Sequence, residues 1–389
     1  MGSLAPPRLT RILVVDDSSV MRSLLRSVIG TDARLEVAGT ASDGASALRV
    51  MESLNPDLIL LDVEMPVMDG LVTLKQMKAR SRRTPVIMCS ALTQRGARVT
   101  IEALASGASD YVAKPSGQPS REAAIQALAH DLVPKILALT ASNPGMVTGV
   151  APGFASQPVL RPSVPVFSGP PAILAPNVPP AVVVIGVSTG GPAVLDVLLP
   201  ALPANFPLPV LVVQHMPELF TRLLAERLDS RCPLRVAEAS SGDAVRPGTV
   251  YIAKGDWHME VVPGAASSPW QSASTPQLRL TQEAPENHCR PAVDVLFRAA
   301  VAVYGPRVLA VVLTGMGSDG LAGCRLIREH NGTVLAQDQA TSAVWGMPGA
   351  VAQAGLAHRV LPLHAIAPEI LRLAGRSQRE ASELRESAG

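Results

Sequence analysis

The sequence predicts two α/β units, each organised around a parallel β-sheet, with a proline-rich connection between them. Short runs of β-branched and aliphatic residues alternate with segments of helical periodicity, first near the N-terminus and again after residue 181. Ten prolines fall within residues 141–180, where Arg161 is the only charged residue, so this stretch cannot form a helix or a central strand. The predicted division is a first unit at 8–132, a semi-rigid linker at 133–180, a second unit at 181–372 and a frayed tail at 373–389.

Composition and charge narrow the class of protein. Hydrophobic residues make up 47% of the 389 residues and charged residues 17%, which is typical of a globular protein. A net charge of +2 argues against nucleic acid as the main partner, and no apolar run reaches the roughly 18 residues of a membrane span. The run 12–15 leads directly into acidic residues, so we expect no signal peptide and no membrane insertion. The four cysteines lack C-x-x-C spacing, which predicts free thiols and a cytoplasmic location.

The first unit shows a regular alternation of strands and helices. Five apolar runs have the composition of buried parallel strands, at residues 11–15, 35–40, 57–61, 85–89 and 111–113. Segments with helical spacing lie between them, clearest at 19–29 and 44–54. Such an alternation predicts right-handed βαβ units and therefore one doubly wound parallel sheet.

Polar residues follow these strands where functional groups gather in such sheets, at the carboxyl ends: Asp16, Asp17, Asp62, Ser90 and Lys114. Three converging carboxylates repel one another unless a cation joins them, and Mg²⁺ suits an all-oxygen site that also holds a phosphate. One carboxylate can then act as a nucleophile toward phosphorus, with Lys114 neutralising the phosphoryl oxygens. The alternative is that these acids lie in solvated loops.

About 120 residues of this unit resemble the receiver domains of two-component response regulators. The resemblance rests on Asp16-Asp17, the run from Leu61 to Gly70, Ser90, and Tyr111 three residues before Lys114-Pro115. It implies a flavodoxin-like fold in which Asp62 accepts a phosphoryl group from a histidine kinase. It also implies a cis peptide bond at Lys114–Pro115.

The same resemblance implies roles for the neighbouring residues. Asp17, Asp62 and the backbone of Glu64 are expected to hold Mg²⁺, with Asp16 contributing through water. Ser90 and Tyr111 are expected to form the switch pair, and Lys114 to contact the phosphoryl group.

The second unit repeats the α/β pattern with one expected departure. Runs at 182–187, 209–214, 307–313 and 332–337 have the composition of buried parallel strands. Residues 249–253 and 257–262 are predicted to form an antiparallel hairpin about 254–256. We therefore expect a mostly parallel sheet with an antiparallel hairpin.

The turn after the first of these strands permits three interpretations. Residues 186–190 fit the G-x-S-x-G pattern of a nucleophile elbow, with Ser188 as the nucleophile. They also nearly fit a dinucleotide-binding loop, although Ser188 replaces the glycine that lets backbone approach a pyrophosphate. The third interpretation is an ordinary tight turn between strand and helix.

Ser188, His215 and Asp319 each follow a predicted strand, so the sheet topology brings them toward one edge. A serine hydroxyl needs a base within hydrogen-bond reach, and a carboxylate that orients a histidine completes a triad. The chain order Ser, His, Asp differs from that of α/β-hydrolases. His215 alone could instead cap a loop, Asp319 could be a turn residue, and His258 and His288 compete for the role of base.

Five segments of the second unit resemble the chemotaxis methylesterases of the CheB family: 184–192, 213–217, 288–297, 313–320 and 345–348. Because the family joins a receiver to this catalytic domain, the resemblance covers essentially the whole chain. The departures are small: Lys254 stands where proline is common, and Ala292 where serine is common.

The resemblance implies that Ser188 is the nucleophile, His215 the general base and Asp319 its orienting residue. It also implies that the backbone amide of Met316 helps to form the oxyanion hole. Thr189 and Arg290 are candidates for the substrate cleft, and the hydrolase reaction is expected to need no cofactor.

The implied substrates are glutamate γ-methyl esters, hydrolysed with release of methanol, and glutamines on the cytoplasmic helices of methyl-accepting chemoreceptors. The implied phosphodonor is a histidine kinase of the CheA type. We expect the unphosphorylated receiver to cover the Ser188 cleft and phosphorylation at Asp62 to weaken that packing. The alternative is a phospho-regulated binding protein with a catalytically silent output domain. A nucleotide-dependent output is disfavoured because Gly-Lys-Ser/Thr is absent, and a DNA-binding output because no basic helix is present.

Overall fold

The computed structural model describes residues 8–80, 84–141, 178–264 and 275–387, with side chains described as far as residue 375. Most of the predicted linker lies outside these residues, as do the side chains of most of the predicted tail. None of the helices in the described ranges is long and apolar enough to cross a bilayer.

The first unit is a five-stranded, all-parallel sheet with the order β2-β1-β3-β4-β5, which confirms the predicted doubly wound fold. Its strands are β1 (Thr10–Val15), β2 (Leu35–Ala41), β3 (Leu58–Asp62), β4 (Val86–Ser90) and β5 (Asp110–Ala113). Its helices are α1 (Ser19–Ile29), α2 (Gly44–Leu54), α3 (Gly70–Ala79), α4 (Gln94–Ala105) and α5 (Arg121–Ala141). Helix α5 continues nine residues beyond 132, where the first unit was predicted to end.

Successive residues of β1 point to opposite faces of the sheet, and each face is covered by helices. Ile12 packs with Leu25 of α1 and Leu132 of α5 in one cluster. Leu13 belongs to the opposite cluster, which includes Leu48 of α2. The helices start where a side chain accepts a backbone N–H: Ser18, Asp43, Asp69 and Thr93 are the N-caps of α1 to α4. Burial on both faces explains why these strands read as nearly continuous apolar runs.

The second unit contains a seven-stranded, all-parallel sheet with the order β14-β13-β12-β6-β7-β9-β8. Its strands are β6 (Val182–Val187), β7 (Val210–Gln214), β8 (Arg235–Glu238), β9 (Thr249–Ile252), β12 (Val308–Val312), β13 (Thr333–Gln337) and β14 (Arg359–Leu361). Its helices are α6 (Gly191–Leu198), α7 (Glu218–Asp229), α8 (Val293–Tyr304), α9 (Leu321–Glu329), α10 (Met347–Gln353) and α11 (Leu363–Ser387). Short 3₁₀ turns follow α6 and α8.

The predicted antiparallel hairpin exists, but its strands are β10 (His258–Val262) and β11 (Gln277–Thr281). The pairing of 249–253 with 257–262 was wrong. Strand β9 already has β7 on one edge and β8 on the other, so it has no free edge for β10. The β10–β11 ribbon therefore forms a separate two-stranded sheet, in which β10 packs against α8.

The two units contact each other through β5 and α4 of the first and through the Ser188 turn and α7 of the second. The ring of Tyr111 stacks on that of Phe220, with centroids 4.5 Å apart and planes 26° apart. Thr189 Oγ1 donates a buried 2.7 Å hydrogen bond to Asp110 Oδ2. The end of β5 that carries the predicted switch residue is thus packed against the predicted catalytic unit.

Candidate active site

The candidate nucleophile lies in a tight turn between buried strand β6 and helix α6. The Ser188 amide donates to the Thr314 carbonyl at 3.0 Å, which ties this turn to the one after β12. Gly190 caps α6 with a φ of +80°, a conformation that glycine adopts without a steric penalty. A Cβ on Gly315 would lie only 2.8 Å from that of Ser188, so the two turns approach as closely as glycine allows.

His215 directly follows β7, and its Nε2 lies 2.8 Å from Asp319 Oδ2. Asp319 is 2% exposed and also accepts the backbone N–H groups of Val293 and Asp294, at 2.7 and 3.0 Å. These amides form the N-terminus of α8, where negative charge is favoured. The structure therefore brings a histidine and an anchored carboxylate to the same edge of the sheet.

The surroundings of this pair shift both pKa values. Burial raises the pKa of Asp319, but hydrogen bonds from His215 and from backbone amides outweigh it, and the net pKa is lowered. Burial lowers the pKa of His215, but hydrogen bonds to Asp319 and Cys289 outweigh this effect and raise the pKa to about 9. The pair therefore favours the charged form of both residues.

The second ring nitrogen of His215 faces a thiol. His215 Nδ1 lies 3.6 Å from Cys289 Sγ. Within the described ranges no hydrogen bond joins the imidazole to the Ser188 hydroxyl, although both residues line the same cavity. Ser188 and His215 thus line one cavity, but they are not hydrogen-bonded to each other in this conformation.

Cys289 is held by a two-residue turn. Glu286 and Cys289 exchange backbone hydrogen bonds of 3.1 and 2.8 Å, and the intervening Asn287 and His288 both have positive φ, +52° and +62°. This is the geometry of a type I′ turn, which favours asparagine. The Asn287 amide donates to Asp319 Oδ1 at 2.9 Å. Sequence reasoning missed Asn287 and Cys289; asparagine two residues before the cysteine was the only local sign of such a turn.

The competing histidines have different surroundings. His258 is 1% exposed; its Nδ1 accepts the Ala292 N–H at 3.2 Å, so its Nε2 donates to the Ala284 carbonyl at 3.1 Å. These contacts hold the segment before α8 in place. His288 is exposed and lines the cavity. In the part of the chain that the structure describes, only His215 among the three contacts Asp319.

The remaining predicted residues divide into those at the cavity and one away from it. Met316 lines the cavity, and its backbone amide has no hydrogen-bond acceptor among the described residues. Thr189 also lines the cavity, and its hydroxyl donates a hydrogen bond to Asp110. Arg290 does not line it, because its guanidinium binds Asp256 at 2.7 and 3.0 Å and two backbone carbonyls.

The cavity of about 660 Å³ lies between the two units. Ser188, His215 and Met316 line one side, and Tyr111 and Lys135 of the first unit line the other. The open side of the candidate catalytic residues therefore faces the predicted receiver.

The acidic residues of the first unit converge as their positions predicted. One carboxylate oxygen from each of Asp16, Asp17 and Asp62 lies within 4.8 Å of the others. Lys114 Nζ contacts Asp16 at 2.8 Å and Asp62 at 2.7 Å. Burial raises the pKa of Asp62; burial also lowers that of Lys114, but its two carboxylate contacts outweigh this and raise it. A set of oxygen ligands around a buried carboxylate fits Mg²⁺.

Three further predicted residues surround this cluster. The carboxylate of Glu64 pairs with Arg95 at 3.2 Å, and its backbone carbonyl, the predicted metal ligand, accepts no hydrogen bond from the described residues. The buried Ser90 hydroxyl donates to the Ala91 carbonyl at 3.2 Å. The cis bond implied for Lys114–Pro115 is wrong, because the only cis peptide among the described residues is Arg290–Pro291.

Comparisons with known proteins cover both units. A family model described as CheB methylesterase matches residues 183–370, and one described as response regulator receiver domain matches residues 12–140. Two proteins named protein-glutamate methylesterase/protein-glutamine glutaminase are similar to the chain. The one from a Nocardioides species is 50% identical and aligns over 95% of this chain and 96% of its own length. The one from Trichodesmium erythraeum is 45% identical over 94% and 99%.

A solved structure is also similar to the second unit. It is the CheB methylesterase catalytic domain of Thermotoga maritima, which is 44% identical, covers 50% of this chain and 100% of its own, and has a TM-score of 0.47.

Proposed function

The chain belongs to the CheB methylesterase family, and from this premise we propose that it hydrolyses glutamate γ-methyl esters and deamidates glutamines on chemoreceptors under the control of phosphorylation. It is a hydrolase with a receiver domain in front of its catalytic domain. The observation that carries the proposal is the contact between His215 and the anchored Asp319, in the cavity that Ser188 lines. A catalytically silent output domain would not need this pair.

In the proposed reaction the Ser188 oxygen attacks the γ-carbonyl carbon of the ester, and His215 takes the hydroxyl proton. Because Nε2 is hydrogen-bonded to Asp319, the proton from Ser188 goes to Nδ1. For this step Nδ1 must face the Ser188 hydroxyl instead of the Cys289 sulfur. The tetrahedral oxyanion is stabilised by backbone N–H groups, among which the unpaired amide of Met316 is the candidate. Methanol leaves with the proton from Nδ1, and an acyl-serine remains.

Water then completes the reaction by the same route. His215 takes a proton from the water, the hydroxide attacks the acyl carbon, and the C–O bond to Ser188 breaks as the proton returns to its oxygen. The product is a glutamate carboxylate. Deamidation follows the same steps with ammonia as the first leaving group, so one site serves both activities.

In the receiver, the proposed phosphoacceptor is Asp62, a buried carboxylate of the acidic cluster at the end of β3. Asp16, Asp17 and Asp62, with the Glu64 carbonyl, are the proposed ligands of Mg²⁺, which when bound would neutralise the clustered negative charge. Lys114 already contacts Asp62 and is placed to bind a phosphoryl oxygen. Ser90 is the proposed hydrogen-bond donor to that group, in exchange for its bond to Ala91.

Regulation is proposed to act through the cavity between the units. Tyr111 stacks on Phe220, and Thr189, next to the nucleophile, bonds to Asp110. Phosphorylation of Asp62 would draw Ser90 and Tyr111 toward a new arrangement and weaken these contacts. A receptor helix could then reach Ser188. The proposed domain limits remain 8–132, 133–180, 181–372 and 373–389. Two helices cross them: α5 continues into the linker, and α11 continues as far as Ser387, so the predicted frayed tail is helical over most of its length.

The proposed partners follow from the reaction. The substrates are the cytoplasmic helices of methyl-accepting chemoreceptors, and the phosphodonor is a histidine kinase of the CheA type. Both place the enzyme in the cytoplasm.

The test is methanol release from methylated receptor membranes, with and without acetyl phosphate and Mg²⁺. The wild type should release methanol faster with the phosphodonor; Ser188→Ala should release none, and Asp62→Asn should keep only the unstimulated rate. Release without stimulation would refute the proposed switch, and no release from any receptor would favour a binding protein.

A further inference from the structure

Cys289 differs from the other cysteines because a base lies beside it. Its sulfur is 3.6 Å from His215 Nδ1, and the opposite nitrogen of the same ring is held by Asp319. In this order of carboxylate, imidazole and thiol, the imidazole can accept the thiol proton when the sulfur reacts.

The sulfur is also held in place and reachable. The type I′ turn of Asn287 and His288 fixes the backbone of Cys289, and Cys289 is partly exposed on the wall of the 660 Å³ cavity. The other three cysteines lack this combination. Cys89 and Cys324 are buried with raised pKa values, and burial raises the pKa of Cys232 to about 11.

We propose that Cys289 is a thiol modification site at which peroxide reversibly switches off the serine esterase. The thiolate sulfur attacks one peroxide oxygen, the O–O bond breaks, and the departing hydroxide takes the proton from His215 to become water. Sulfur is oxidised by two electrons to a sulfenic acid, and peroxide is reduced by two. A low-molecular-weight thiol then forms a mixed disulfide with release of water, and a second thiol restores Cys289.

Modification blocks catalysis because the esterase needs the same ring nitrogen. Asp319 occupies Nε2, so Ser188 and Cys289 compete for Nδ1. A sulfenic oxygen on Cys289 would lie to one side of the 3.6 Å line from sulfur to Nδ1, within hydrogen-bond reach of that nitrogen, and would occupy it. The loss of activity rests on the proposed function, whereas the reactivity of the thiol does not.

The first experiment measures the thiol alone. The full-length protein is treated with iodoacetamide at pH 7, and the labelling of each cysteine is followed by mass spectrometry. Cys289 should react at least fivefold faster than Cys232, and His215→Ala should lower its rate at least fivefold. A smaller ratio in the wild type, or an unchanged rate in the variant, overturns the proposal.

The second experiment tests whether oxidation of the Cys289 thiol inhibits the esterase. Methanol release is measured after hydrogen peroxide treatment, with dimedone trapping of the sulfenic acid, and each variant is compared with its own untreated rate. The wild type should lose at least 80% of its rate and recover it with dithiothreitol, as should the matched control Cys232→Ala. Cys289→Ala should keep its rate; equal sensitivity of this variant overturns the proposal. If the untreated wild type releases no methanol, the proposed function fails, while dimedone labelling still tests Cys289.

Discussion

Thr189 Oγ1 donates a 2.7 Å hydrogen bond to Asp110 Oδ2, and this bond joins the residue after the candidate nucleophile to the strand that carries Tyr111. Both groups are buried, and they are 79 residues apart in sequence. Separation of the two units would expose Ser188 and break this bond in the same movement. Loss of this bond is therefore expected to accompany the proposed release of the catalytic unit from the receiver.

Removing this hydrogen bond should release the enzyme. Thr189→Val keeps the shape of the side chain but leaves Asp110 Oδ2 without its donor, while Oδ1 still accepts the Tyr111 N–H. The cost to the closed arrangement is about 1–3 kcal/mol. The expected result is a methanol release rate without phosphodonor that rises roughly tenfold. The matched control is Thr140→Val, because the Thr140 hydroxyl bonds only to helix carbonyls of α5. A lower unstimulated rate in Thr189→Val, with full folding, would contradict the restraint.

Loss of the aromatic stack between Tyr111 and Phe220 should also raise the rate of methanol release without phosphodonor. Phe220→Leu nearly conserves volume but removes the stacking partner of Tyr111, an interaction of about 0.5–1.5 kcal/mol. We expect the unstimulated rate to rise several-fold and the stimulation by acetyl phosphate to shrink. Phe206→Leu is the control, since Phe206 is equally buried in the same unit. Both variants should melt slightly earlier; equal unstimulated rates in both would show that the stack does not restrain the enzyme.

The esterase should gain activity as pH rises. Only neutral His215 can accept the Ser188 proton, and contacts with Asp319 and Cys289 raise its pKa to about 9 against the effect of burial. Below that pKa, each decrease of one pH unit should lower the rate of the unphosphorylated enzyme about tenfold. The measurement is kcat/KM between pH 6 and 10. Asp319→Asn should shift the midpoint toward that of an ordinary histidine and lower the maximum rate. A flat profile from pH 7 to 9 would refute a charged resting His215.

Val67 has a strained backbone in the loop between β3 and α3, which follows the proposed phosphoacceptor Asp62. Its φ is +65° and it is 90% exposed, so a β-branched side chain adopts the left-handed region without compensating burial. Val67→Gly relieves about 1–2 kcal/mol of strain and loses about 0.4–1 kcal/mol to the greater freedom of the unfolded chain. The receiver should thus gain roughly 0.5–1 kcal/mol of stability.

This gain is measurable by calorimetry of the full chain, since all three tryptophans lie in the second unit and do not report on the receiver. The control is Val20→Gly. Val20 is 75% exposed but lies in helix α1, where glycine is a poorer helix former than valine and should destabilise by about 0.3–0.5 kcal/mol. Equal losses of stability in both variants would show that Val67 is not strained.

The sequence by itself predicted the features that local patterns determine. Apolar runs marked the central strands of both sheets, because burial on both faces leaves few polar residues in them. The rule that functional residues follow the carboxyl ends of parallel strands predicted the convergence of Asp16, Asp17 and Asp62, and that of His215 and Asp319. Neither result needed knowledge of side-chain packing.

The pairing of the antiparallel ribbon depended on a different kind of information. Strand β10 lies next to β9 in sequence, but β7 and β8 occupy both edges of β9, so β10 pairs with β11. Which edges are free is a property of the assembled sheet, and sequence distance does not encode it.

Only the tertiary structure decided which groups meet inside the site and across the two units. Cys289 contacts His215 from 74 residues away, and Asn287 contacts Asp319 from 32. The stack of Tyr111 on Phe220 and the bond from Thr189 to Asp110 join different units. Periodicity and propensity describe neighbours along the chain, whereas these contacts arise from close packing, which is settled when the sheets, helices and turns fold against one another.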